Sequence, residues 1–131
     1  MDKELLKIYI HLTETNELNR EDLTIRMMLF DGYCESAYFH GKILPGGVDT
    51  QTIFSNESGC LSARYMLRGF DNTNHACNIY IENTADIGSE WTKPRIFTDS
   101  ENLKWMEHIP LKGKIVNENG KLIIYIFETA S

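Results

Sequence analysis

The chain has 131 residues, 42% of them hydrophobic and 24% charged, which fits one globular domain spanning 1–131 and excludes a disordered polymer. A net charge of −6 argues against nucleic acid or an anionic membrane as a main partner, since both need clustered Lys and Arg. The three cysteines, Cys34, Cys60 and Cys77, form neither a disulfide framework nor a zinc pattern, and no apolar run approaches the ~20 residues of a membrane helix.

The opening Met1-Asp2-Lys3-Glu4 lacks the basic start of a signal peptide, so with odd, unspaced cysteines a cytoplasmic protein is expected. Leu5–Leu12 alternates with period two: Leu6, Ile8, Ile10 and Leu12 face one way, Lys7, Tyr9 and His11 the other, as in a strand. Thr13 to Asp22 is polar and reads as a loop. Leu23–Phe30 is the next strand, closed by the turn dipeptide Asp31-Gly32. Tyr33–Lys42 runs on to Leu44, where Pro45-Gly46-Gly47 predicts a type II turn, Pro presetting φ and Gly supplying φ > 0. Val48–Phe54 follows and ends at the turn cluster Ser55 to Gly59.

Cys60–Phe70 and Ala76–Asn83 read as a hairpin around Asp71 to His75. After a looser stretch, Thr84 to Lys93, a short strand spans Pro94–Thr98. Thr98-Asp99-Ser100-Glu101 has the form of a capping box and predicts a helical turn around Asp99–Leu103. Lys104–Val116 and Lys121–Glu128 flank Asn119-Gly120, the strongest short hairpin signal in the chain. About eight to ten short strands imply an all-β fold, an antiparallel β-barrel with one short helical turn, the alternative being a two-sheet sandwich. The last strand is apolar on both faces, so its outer face needs a cover: a neighbouring segment or a second subunit in a homo-oligomer.

No G-x-S-x-G, H-E-x-x-H, P-loop or G-x-G-x-x-G is present, and the four histidines are scattered singly. No metal site and no cofactor are therefore expected. Strand arithmetic gives the positive signal. In a symmetric hairpin around Asn72–Asn74, Arg64 faces Glu82, Met66 faces Tyr80 and Arg68 faces Asn78, while Leu61, Ala63, Tyr65, Leu67, Cys77, Ile79 and Ile81 form the apolar face. The polar face is either a solvated exterior or the lining of a ligand cavity, and a one-residue slip would exchange the two faces. Asp49, Gln51 and Ile53 share a face of the adjoining strand. Were that face to join the Arg64/Glu82 face, two carboxylates, an arginine, a phenol and an amide would converge, a set suited to proton transfer or to holding a polar ligand.

The run Gly41-Lys42-Ile43-Leu44-Pro45-Gly46-Gly47-Val48-Asp49, then Ala63-Arg64-Tyr65-Met66-Leu67 and Tyr80-Ile81-Glu82-Asn83, resembles the domain of unknown function family 3237. Pro94-Arg95-Ile96-Phe97-Thr98 and Lys104-Trp105-Met106 continue the likeness, which covers roughly residues 4–128, although Thr50 and Met106-Glu107 depart from the family pattern. The resemblance implies an antiparallel barrel of unassigned function and includes Asp49, Arg64, Glu82, Asn83 and Trp105 in its pattern. The expected site has Asp49 or Glu82 as acid/base and Arg64 on an anionic or carbonyl oxygen. Tyr80 would donate a hydrogen bond, Gln51 would contact the ligand, and Phe97 and Trp105 would be apolar walls. Such a pocket would take a small molecule and suit an isomerase, lyase or hydrolase; the alternative is a non-catalytic interaction or structural protein with no ligand.

Overall fold

In the computed structural model, which describes residues 2–129, nine strands form a single antiparallel sheet that curls into a barrel. The strands are β1 (Lys3–Asn19), β2 (Leu23–Glu35), β3 (Phe39–Ile43), β4 (Gly47–Phe54), β5 (Gly59–Asp71), β6 (Ala76–Asp86), β7 (Lys93–Thr98), β8 (Leu111–Glu118) and β9 (Lys121–Glu128). Their order is β7-β6-β5-β3-β2-β1-β9-β8, with β4 filling the space between β2 and β5 beyond the end of β3. One bridge closes the circle: Thr92, just before β7, exchanges two backbone hydrogen bonds with Gly113 of β8, at 2.8 and 3.0 Å. A Cβ at Gly113 would stand 2.3 Å from Thr92 Oγ1, so the closing contact needs a glycine.

The strand expectations hold in outline and fail at four places. Thr13 to Asp22 is not a loop: β1 bulges between Leu12 and Glu14, then pairs with β2 as far as Asn19↔Thr24. These rungs project past the end of β9, whose pairing with β1 stops at Ile10↔Leu122, so solvent reaches both faces and no alternation marks them. Asp31-Gly32 is not a hairpin turn. The strand runs straight through it, bonded to β1 on one edge while the other edge changes partner from β4 to β3. A glycine is needed at Gly32, φ 145°, because a Cβ there would lie 1.9 Å from the Tyr9 carbonyl oxygen of β1. The long Tyr33–Lys42 strand is divided by a turn at Ser36, whose hydroxyl accepts the Phe39 N–H at 3.1 Å. Finally, the helical turn is a 3-10 turn at Lys104–Glu107 and not at Asp99–Leu103, so Lys104 does not begin a strand. The capping-box residues are spent elsewhere: the Thr98 hydroxyl donates to the Asn78 carbonyl at 2.6 Å, and Glu101 pairs with Lys104 at 3.6 Å.

The barrel interior holds the core: Leu6, Ile8, Phe30, Leu67, Ile79, Ile81 and Ile126 are all buried. One end is plugged by Leu103 and Met106, both fully buried, with Trp105 packed edge-on against Tyr38 at 5.3 Å. Asp71, 2% exposed, fastens that plug. Its Oδ1 accepts from the Thr73 N–H and hydroxyl and from the His75 N–H; its Oδ2 accepts from Ser100 and Asn102. The outer face of β9 is clad by the same chain: Ile123 is buried, Phe127 meets Trp91 edge-on, and Lys7 lies over Tyr125 and Tyr9. That apolar face does not by itself call for a second subunit.

Candidate functional site

The β5–β6 register is the one expected, with Arg64↔Glu82, Met66↔Tyr80 and Arg68↔Asn78 opposite one another. Which face they occupy decides the site. The apolar partners Ala63, Tyr65, Leu67, Ile79 and Ile81 are buried in the barrel, so the Arg64 face is the outside. Glu82 accepts a hydrogen bond from Tyr80 at 3.1 Å, Arg68 donates to Asn78, and Arg95 stacks on the exposed Phe97 ring at 4.7 Å. Burial and the Glu82 hydrogen bond raise the pKa of the Tyr80 phenol. The group is a surface cluster on the outside of the barrel.

Asp49 does not join it. In the β4–β5 pairing Val48 faces Arg64, whereas Asp49 faces Ala63, so the carboxyl points inward with the core set. The two halves of the expected constellation thus stand on opposite sides of one sheet. Trp105 is equally remote from Asp49: it belongs to the plug at the β5–β6 hairpin end of the barrel. Of the expected site residues, only Asp49 and Gln51 meet in a cavity.

That cavity, about 180 Å³, lies inside the barrel at the end away from the plug. Leu12, Ile115 and Leu122 stand at its mouth, and Ile10, Met28, Leu61 and Ile124 make aliphatic walls. Its carboxyl and its amide lie on one rung, along which Met28, Asp49, Ala63 and Asn83 follow one another across β2, β4, β5 and β6. Gln51 donates to Asp49 Oδ2 at 3.0 Å, while Asp49 Oδ1 has no partner in the protein. Burial raises the Asp49 pKa above the usual carboxylate range, only partly opposed by the Gln51 hydrogen bond. Asn83 is 1% exposed, and neither its Nδ2 nor its Oδ1 is hydrogen-bonded. Deeper on the β5 face, the buried Tyr65 hydroxyl is also unpartnered.

The sequence carried a signal for Asn83 that strand arithmetic passed over. Along β6 the inward positions read Cys77, Ile79, Ile81, Asn83: an apolar row that ends in a primary amide. An uncharged polar residue on a core face must find a partner or bear the cost of having none. Among the described residues no group of His, Cys, Asp and Glu is arranged to hold a metal ion, and all three cysteines are free thiols.

The family pattern of DUF3237, proteins of unknown function, matches residues 5–88, from β1 through the cavity rungs of β4, β5 and β6. The chain belongs to the DUF3237 family. A UPF0311 protein from Clostridium acetobutylicum is 33% identical over 86 residues, covering 63% of this chain and 52% of that relative; the match thus spans about half the relative's length. Among solved structures, a protein of unknown function from Clostridium acetobutylicum superposes with a TM-score of 0.82 at 22% identity, covering 99% of this chain and 97% of that one. A structure described as an enzyme from Penicillium herquei gives a TM-score of 0.71 at 16% identity, covering 98% of this chain and 94% of that one. Likenesses at these identities establish the shared fold. Among the described residues no helix is long and apolar enough to cross a membrane.

Proposed function

We propose that this DUF3237 protein binds a small organic molecule inside the open end of its barrel, with Asp49 as the group that exchanges a proton with it. One observation carries the reading: the Asp49 carboxyl and the Asn83 amide present unpartnered polar atoms to a shared cavity. A buried polar group without a partner costs about 1–3 kcal/mol, and a bound molecule that supplies the partner recovers that cost. Burial also raises the Asp49 pKa, the direction that favours acid/base work, while Gln51 holds one carboxyl oxygen in place. Proton transfer by one such group fits an isomerase, lyase or hydrolase step, and a relative with this fold is described as an enzyme. Glu82, Arg64, Tyr80 and Phe97, on the outer surface, and Trp105, in the plug, are given no part in it.

The test pairs stability with binding. In Asn83→Leu, an apolar side chain of similar volume replaces the unpartnered amide. Urea unfolding is expected to show a gain of about 1 kcal/mol, because functional groups are held at the expense of stability. A fragment library screened by ligand-observed NMR is expected to yield hits on the wild type that the variant loses. A variant that is less stable and keeps every hit would make Asn83 a structural residue and overturn the reading.

A further inference from the structure

We infer that the ligand carries an uncharged head group, one that both donates and accepts hydrogen bonds, on a ring of about benzene's size. This rests on the ligand-binding reading above and adds the chemical class. The size follows from the cavity: about 180 Å³ slightly exceeds the roughly 150 Å³ apolar cavity known to hold benzene. The shape follows from the sheet. Asp49 and Asn83 stand two strands apart, so their backbones are about 10 Å from each other, and Ala63 between them contributes only a methyl group. The space left between carboxyl and amide is where a polar head would lie.

The charge follows from the lining. Asn83 has a free donor and a free acceptor side by side, and a carboxamide or lactam satisfies both through two parallel hydrogen bonds. An anionic head would be desolvated beside Asp49, and among the described residues no Lys, Arg or His lines the cavity. Arg26, opposite Gln51 on the same face further out, is already bonded to Glu17. A cationic head would pair with Asp49, yet it offers no acceptor to Asn83 Nδ2.

The experiment titrates the full chain at neutral pH with four probes by NMR chemical shift: cyclohexanecarboxamide, cyclohexanecarboxylate, cyclohexylmethylammonium and benzene. The carboxamide is expected to bind about tenfold tighter than either ion, with shifts centred on Asp49 and Asn83, and Asn83→Leu is expected to erase that preference. Equal or tighter binding of the carboxylate would overturn the inference and implicate Arg26 released from Glu17. A preference for the ammonium ion would overturn it in favour of Asp49 alone. Benzene binding with none of the polar probes would leave a ligand cavity of another class, so this inference would fail and the binding reading survive. Binding of none of the four would overturn both.

Discussion

The two ends of the barrel each hold an aspartate, buried at Asp71 and half-buried at Asp49, and they treat it in opposite ways. At the plugged end Asp71 accepts five hydrogen bonds, from Thr73, His75, Ser100 and Asn102, which hold its carboxyl well below the usual carboxylate range. At the open end Asp49 has one partner, Gln51, and burial pushes its carboxyl the other way. The difference separates a structural carboxylate from a candidate functional one by bookkeeping of partners alone. Asp71 has both carboxyl oxygens bonded, whereas Asp49 Oδ1 and both polar atoms of the Asn83 side chain lack a partner beside one cavity.

The largest effect belongs to the plug. Leu103→Ala removes a fully buried side chain from the closed end, and urea unfolding is expected to show a loss of about 2–5 kcal/mol. Because the plug lies at the opposite end from the cavity, fragment binding by the folded fraction should persist. Loss of binding at full folding would erase the division of labour between the ends.

A pH series sharpens the contrast. For Asp71 the folded-state pKa is lowered, so the unfolded chain binds more protons and stability falls as pH drops below the ordinary carboxylate value. For Asp49 the folded-state pKa is raised, so the folded chain binds more protons and stability falls as pH rises from the ordinary value through the raised one. Melting temperatures recorded across acid to neutral pH should therefore show a shallower acid-side fall in Asp71→Asn and a shallower fall toward neutrality in Asp49→Asn. The same sign of change in both variants would refute the contrast.

The smallest effect is expected on the outer face. Arg64→Ala should change stability by no more than about 0.5 kcal/mol and leave fragment binding intact, since Arg64 is exposed on the far side of the sheet from the cavity. A loss of binding in this variant would return the outer cluster to consideration.

How much was legible differs by residue. The pairing Arg64↔Glu82 follows from the turn Asp71 to His75, because a symmetric hairpin sets its own register. The inward row Leu61, Ala63, Tyr65, Ile79 and Ile81 follows from alternation, and so does the exterior standing of Arg64 as one of its two readings. Joining Asp49 to Arg64 failed by one rung: Val48 takes that place, and with a side-chain period of two, one rung is the whole thickness of the sheet. Thr13 to Asn19 and Gly32 misled for another reason. A projecting hairpin wetted on both faces has no alternation, and a glycine needed for close approach of two strands looks like one needed for a turn.

Local physics in the sequence therefore determined most of the strands, the Asn119-Gly120 and Asp71 to His75 hairpins and the all-β class. Each of these depends on residues near one another in the chain, where periodicity and turn chemistry act. Tertiary structure alone decided that β4 fills the gap left by β3, that Thr92 and Gly113 close the barrel, and that Asp49 and Asn83 share one enclosed space. Those contacts join strands far apart in sequence, and what selects them is the burial of one common core.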